Sequence, residues 1–417
     1  MIRAVIVAEA WGRNEAKFQH ALVGASGREL SLQLGHAKMA PFLRLQCRKC
    51  FKDSRFITPH CEFCGEFLWP NEFDMIAHWK RLREESGIAI TNVFNEQPPD
   101  VCGDCRSLNV SVVGSSRKCL DCRSRHIRSN DLGFFFGPER QTEMKSWKAS
   151  QYSLGTHLKS EHFHHVLRFW QEIKTLQPNL IIALGNAACW ATLDQTGITK
   201  IRGTVAWSER LSCKVIPTFH PANVLRPTGR AQRPICIADF GKANRESAFS
   251  ELRRPERWLT IVDPTSEAIK DAYEWFDRPA LAYANDIETY KGQISIIGFA
   301  RSRDDALVIV FRNTDEERPT SIGHNYFGSA EAEFAAWKLA IYGLRTPQPK
   351  IFQNGLYDIS YYARMGIFPR NALHDTMLWH HSLYPELPKS LGFLGSIYSN
   401  EISWKMMARR ESFKRDE

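Results

Sequence analysis

Short β-branched runs and longer stretches of helical period alternate along most of this chain. Residues 2–8 (IRAVIVA) read as a first strand feeding a Gly-containing turn at 9–15, and a helix is expected after Gly27. A helical segment near 71–86 leads to the strand IAITNV at 88–93, which Pro98-Pro99 ends. Residues 157–177 carry helical periodicity, NLIIALG at 179–185 reads as a buried strand, NAACWATL as the helix after it, and KVIPTFHP at 214–221 as a strand running into a polar loop. Such alternation over about 245 residues predicts a parallel or mixed sheet with helices on both faces. The charged stretch LRRPERW at 252–258 reads as a linker. A fresh pattern follows, with strands near 280–288, at ISIIGFA and at ALVIVF (306–311), then helices near 330–345 and 356–365. It predicts a second α/β domain over 259–417, after a linker spanning 246–258. The fold class is therefore α/β twice over.

Composition narrows the class without naming it. The 417 residues suit two or three domains, and 43% hydrophobic with 24% charged residues excludes collagen-like, coiled-coil and largely disordered chains. No apolar run approaches membrane-spanning length, and MIRAVIVAEA turns polar too early for a signal-peptide core, so a cytoplasmic protein is expected. Lys and Arg exceed Asp and Glu by nine, which points to a polyanionic partner only where the basic residues cluster. They cluster at Arg117, Lys118, Arg123, Arg125 and Arg128, with Asp121 the lone acid among them. A DNA backbone is the expected partner there, with a merely solvated face the alternative.

Eight of the eleven cysteines pair off. Cys47, Cys50, Cys61 and Cys64 read C-x2-C-x10-C-x2-C, and Cys102, Cys105, Cys119 and Cys122 read C-x2-C-x13-C-x2-C. Two knuckles of this spacing set four thiolates around one ion, so the expectation is two structural Zn2+ ribbons, at about 44–69 and 100–128. Disulfides are disfavoured in a reducing compartment, and an iron–sulfur cluster is the other taker of four thiolates. Cys189, Cys213 and Cys236 sit in apolar contexts that suit core packing.

Four polar patches lie at or just beyond the first domain's expected strands: AEAWGRNE at 8–15, LVGASG at 22–27, ITNV at 90–93 and TFHPANVLR at 218–226. In an open α/β sheet the carboxyl ends of strands line one crevice, so Glu9, Glu15, Asn92 and His220 can share a site. Each also has a plainer use, since Glu15 can start a helix, Asn92 can hold a turn and His220 can end a strand. The order and wording of these phrases, with IIALG and Ile201-Arg202-Gly203 between them, resemble the uracil-DNA glycosylase superfamily, especially its thermophile-type family four, over roughly 1–245. The resemblance implies that Glu9 and Glu15 match the motif carboxylates, that Asn92 reads the uracil edge and that His220 faces the departing base. Leu22 stands where the family has a base-stacking Phe, and Trp11 replaces its usual Pro. The family's iron–sulfur cysteines are replaced too, with His165 at one ligand position.

In the second domain, Asp286 and Glu288 sit two apart on an expected strand and so share a face, as a site for two hard, oxygen-seeking cations requires. With Asn354 and Asp358 further on, they resemble the first two motifs of the 3′–5′ exonuclease domain of family A DNA polymerases, over roughly 259–417. The resemblance implies a ribonuclease H-like fold, Mg2+ or Mn2+ held by Asp286, Glu288 and Asp358, and a last acid for which Asp416 is the available residue, with Ser412 in the place of the usual aromatic. Asp375 reads instead as a helix cap. Taken together, the resemblances are similar to bacteriophage-encoded fusions. They imply base excision and exonuclease activity on single-stranded DNA or 3′ ends, the alternative being a non-catalytic DNA-binding replication subunit serving a separately encoded DNA polymerase.

Overall fold

The computed structural model describes residues 1–98, 100–102, 104, 110–113, 116–125, 127–129, 134–136, 151–153, 156–254, 256–263, 265–313, 324–372 and 374–400. The chain forms two compact units, one of residues up to Leu252 together with the stretch from Gly395, the other Arg253–Leu394. The break falls inside the expected linker, but the chain from Gly395 groups with the first unit, which the sequence pattern had assigned to the second. The reason is polar: buried Arg202 donates to Ser396 Oγ (2.7 Å), and the Lys242 ammonium to the carbonyls of Ser396 (2.6 Å) and Ser399 (2.5 Å).

The first unit is built on a five-stranded sheet. Its strands are β1 (Ala4–Ala10), β2 (Ile88–Phe94), β3 (Leu180–Leu184), β4 (Ala206–Ser208) and β5 (Cys213–Thr218), in the order β4-β5-β3-β1-β2. Only β4 runs antiparallel. Residues 4–8 of β1 are buried, as a central parallel strand covered on both faces must be. The covering helices are α1 (Arg13–Phe18), α2 (Ala25–His36), α3 (Glu72–Ser86), α4 (Phe163–Leu176), α5 (Gly185–Leu193) and α6 (Arg233–Glu246). Helix α3 opens on a reciprocal capping box between Asn71 and Asp74. Two elements depart from the pattern. The segment 157–177 is not one helix, because Thr156–Leu158 is extended and a 3-10 turn at Ser160–His162 precedes α4. The expected turn at 9–15 ends in the short helix α1.

The second unit carries a six-stranded sheet of β6 (Trp258–Ile261), β7 (Tyr283–Tyr290), β8 (Gln293–Ala300), β9 (Asp305–Val310), β10 (Lys350–Phe352) and β11 (His374–Asp375), ordered β6-β9-β8-β7-β10-β11. The β7-β8-β9 meander is antiparallel and the outer pairings parallel. β6 begins at Trp258, the last residue read as linker. Helices α7 (Ser266–Asp277), α8 (Ala330–Arg345), α9 (Leu356–Arg364) and α10 (Thr376–Leu383) complete it. Its core interlocks Phe276, Tyr283 and Phe299, and a Cβ at Gly343 of α8 would stand 2.4 Å from the Phe276 ring, so that position lets the helix lie close. Among the described residues no helix is long and apolar enough to cross a membrane.

Candidate functional site

The carboxyl ends of the first sheet gather the polar residues. Ala8 of β1 is in register with Asn92 of β2, and Leu184 of β3 with Thr218 of β5. Glu9 follows Ala8 on β1, and the backbone of Gly185 comes close enough that a Cβ there would lie 3.4 Å from His220 Cβ. Parallel pairing thus sets Glu9, Asn92 and His220 at one edge. Asn92 is 1% exposed, and its neighbours fix the sense of its amide: turned so that oxygen meets donor and nitrogen meets acceptor, the oxygen accepts from Trp11 Nε1 (3.2 Å) and the nitrogen donates to the Thr91 carbonyl (3.2 Å). One N–H and one lone pair of that amide stay available. Trp11 therefore orients Asn92. His220 Nδ1 accepts the Ala222 N–H (3.2 Å) at the start of the turn Pro221–Val224, which leaves the proton of a neutral ring on Nε2.

Glu15 is buried on α1, with its carboxylate accepting from the Gly24 N–H (3.0 Å). A Cβ at Gly12 would stand 2.6 Å from Glu15 Oε2, so the loop wraps the carboxylate at van der Waals distance. Leu22 is buried in the left-handed region (φ 54°), and its carbonyl accepts from Trp79 Nε1 (2.8 Å). Gly27 makes that turn possible, because a Cβ there would overlap the Leu22 carbonyl oxygen at 1.7 Å. Leu225, which the sequence pattern did not single out, is 45% exposed beside the exposed Arg226 and Arg230, an apolar side chain among cations at the rim.

In the first ribbon Cys47 Sγ lies 3.5 Å from Cys64 Sγ, and Cys50 Sγ 3.6 Å from Cys61 Sγ. All four sulfurs are within 4.8 Å of one another, a cluster able to hold Zn2+. Burial pushes the Cys61 thiol up, but N–H groups of Phe63 and Cys64 outweigh it and bring it down to about 6. At Cys64 the Glu66 N–H is outweighed by burial and the neighbouring Cys47, Cys50 and Cys61, which push it up to about 12, as expected of four crowded sulfurs that cannot all carry charge without a cation. Each knuckle turns back through a left-handed residue, Phe51 (φ 58°) and Gly65 (φ 74°), with Cys47 N–H donating to Lys52 O (2.9 Å) and Cys61 N–H to Glu66 O (2.7 Å). Cys119 repeats the device, its N–H donating to Ser124 O (2.8 Å) through Arg123 at φ 60°. Cys122 is exposed beside it. Cys102 is described as backbone, and Cys105 lies outside the described residues. Lys118, Arg123 and Arg125 are exposed; Arg117 and Arg128 are described as backbone alone.

From Tyr283 to Glu288 of β7 the exposure alternates, which sets Asp286 and Glu288 outward on one face. Asp358 reaches them from α9: it is 2% exposed, and its Oδ1 accepts the Ile287 N–H (3.0 Å). Burial, then the charge of Asp286, push the Asp358 carboxyl up to about 6. Burial, then Glu288, push Asp286 up as well. Carboxylates that destabilise one another's charge suit a cation, and hard oxygen donors suit Mg2+ or Mn2+. Asn354 sits at φ 59° in the turn before α9. Asp375 caps α10, accepting from Met377 N–H (2.8 Å), and also takes Gly355 N–H (2.8 Å). Asp416 and Ser412 lie outside the described residues.

No protein-family model matches the chain. A type-4 uracil-DNA glycosylase from Thermotoga maritima is 39% identical over 75 residues, 17% of this chain and 38% of that protein, so the chain spans about two fifths of that relative's length. A crystal structure of the EXD2 exonuclease domain soaked in Mn and GMP aligns with 33% of this chain and 68% of its own, at 12% identity and a TM-score of 0.21.

Proposed function

We propose that this is a DNA-processing protein, a hydrolase that couples uracil excision in its first unit to metal-dependent 3′–5′ exonuclease action in its second. The observation that carries the first half is the convergence of Glu9, Asn92 and His220 at the end of one parallel sheet, supported by the 75-residue likeness to a uracil-DNA glycosylase. Excision requires an extruded base, a reader of its edge and stabilisation of charge on the leaving ring. Asn92 has one donor and one acceptor left for O4 and N3–H, and His220 Nε2–H is the donor for O2. Glu9 balances the cationic sugar or orients water. Glu15 holds the loop from Gly12 to Gly24, and Leu22 is the apolar residue on the base-facing turn.

The second half rests on Asp286, Glu288 and Asp358. These residues would hold Mg2+ or Mn2+, which when bound supplies a clamp for attacking and leaving oxygens of a phosphodiester. Asp416 is the proposed last carboxylate, because Asp375 spends its oxygens on backbone N–H groups. Two thiolate-bound Zn2+ ions in the quartets of Cys47 and Cys102 brace the first unit, and Arg117, Lys118, Arg123, Arg125 and Arg128 meet the strand.

One substrate tests both halves: a 3′-labelled single strand carrying an internal uracil, with Mg2+ or with chelator. Alkali-labile cleavage at uracil in chelator and loss of the 3′ label in Mg2+ alone are expected. A strand that is bound but left intact in both identifies a non-catalytic DNA-binding subunit, and recovery on adding a replicative polymerase identifies its partner. Deleting Asp416-Glu417 should abolish label release and spare excision; undiminished release places the last ligand elsewhere.

A further inference from the structure

We propose a third metal centre, a mononuclear site for a zinc-class divalent transition ion formed by Glu96, His162 and His165. One ligand atom from each residue lies within 4.8 Å of the others, the same closeness the thiolates of the first ribbon show. Glu96 belongs to the loop after β2, and the two imidazoles stand three residues apart where the 3-10 turn passes into α4, so one helical turn presents both to the same carboxylate.

The geometry is that of a ligand set. His165 Nε2 lies 3.3 Å from Glu96 Oε2, and four bonds of about 2.0–2.1 Å in tetrahedral array have an edge of about 3.3 Å. His162 Nδ1 lies 2.7 Å from Glu96 Oε1. His165 is 9% exposed, and its Nε2 is shielded from water without a well-formed hydrogen bond. A buried ring nitrogen left so costs free energy that a metal bond recovers. The apolar wall is built: Phe134 meets His162 edge-on at 5.0 Å, and Phe94 meets His165 at 6.2 Å. Two imidazoles and one carboxylate exclude Mg2+ and Ca2+, which prefer all-oxygen sets, and suit Zn2+ with water completing the shell on the half-exposed side of Glu96.

The site has a consequence for its neighbour. The Glu96 carbonyl accepts the Trp11 N–H (3.1 Å), and Trp11 orients Asn92. An ion at Glu96 thereby pins the loop against which the Asn92 pocket is built. It is a positioning device with no atom on substrate, and it stands whether or not excision occurs.

Cobalt distinguishes this centre from the ribbons. Full-length protein, dialysed against a chelator level that leaves thiolate-bound zinc in place, is titrated with Co2+ alone. The expected result is one added equivalent, visible ligand-field bands and no near-ultraviolet sulfur-to-cobalt charge transfer. Glu96→Gln and His165→Asn should each weaken binding by well over about tenfold, since even second-shell changes cost about 10–100-fold, while His381→Asn in the other unit changes nothing. No added equivalent, a thiolate band, or undiminished binding in both variants overturns the proposal. Should a variant lose its far-ultraviolet circular dichroism, the wild-type spectrum alone still decides, nitrogen–oxygen ligation supporting the site and sulfur ligation refuting it.

Discussion

The two candidate sites solve the problem of buried polarity in opposite ways. At the edge of the first sheet each polar side chain already has a protein partner: Trp11 for Asn92, the Ala222 N–H for His220, the Gly24 N–H for Glu15. On the second sheet burial, and after it a neighbouring carboxylate, hold two carboxyl groups up: Glu288 acts on Asp286, and Asp286 on Asp358. The first arrangement is complete as protein and can stabilise charge as it develops, because its dipoles are fixed beforehand. The second is incomplete as protein, and a bound cation would relieve its repulsion.

Removing a charge from the incomplete site should therefore have the largest effect. Asp286→Ala is expected to lower release of a 3′-terminal nucleotide by about 10²–10³-fold or more, matching the effect of chelator on wild type. Equal activity with and without metal would erase the contrast between the sites. His220→Ala should slow uracil excision about 10²-fold with strand binding retained, measured as abasic sites formed in a single turnover. An unchanged rate would leave His220 as a strand terminator only.

Stability offers a subtler separation. Asp358 has its folded-state carboxyl raised to about 6 against an ordinary value of 3.8, so between these values the folded chain binds more protons than the unfolded one. Without metal, this contribution to stability is full below about pH 4 and is lost as pH rises through 6. Asp358→Asn should accordingly raise the melting temperature of the second unit at pH 7 in chelator, by an amount that vanishes near pH 4. Mn2+ should stabilise wild type at pH 7 and lose its effect below about pH 6. A melting temperature that is flat across this range would refute the raised Asp358 carboxyl. The smallest expected effect is that of Trp11→Phe, which removes one hydrogen bond worth about 1 kcal/mol. It should blunt discrimination of uracil from cytosine more than it weakens strand binding.

Much of this was legible in the chain. Period-two spacing set Asp286 and Glu288 on one face, and the exposure of β7 follows it from Tyr283 to Glu288. The C-x2-C spacing predicted knuckles, and the Cys47–Cys64 cluster has formed; the apolar runs predicted the buried strands β1 and β3. These are local rules, in which neighbours along the chain determine direction and periodicity. Asp375 was legible as a cap for the same reason.

What only the tertiary structure decided are the meetings between distant residues. Trp11 looked like a departure until the β1-β2 pairing brought its indole to Asn92. His162 and His165 carried a weak signal, two imidazoles one helical turn apart, and Glu96 carried none, because nothing in sequence says that the loop after β2 crosses the start of α4. The return of the chain from Gly395 to Arg202 and Lys242 was equally hidden. Spacing along a chain specifies which way a side chain points, whereas its partner depends on strand order and helix crossing, which the packing of the whole unit selects.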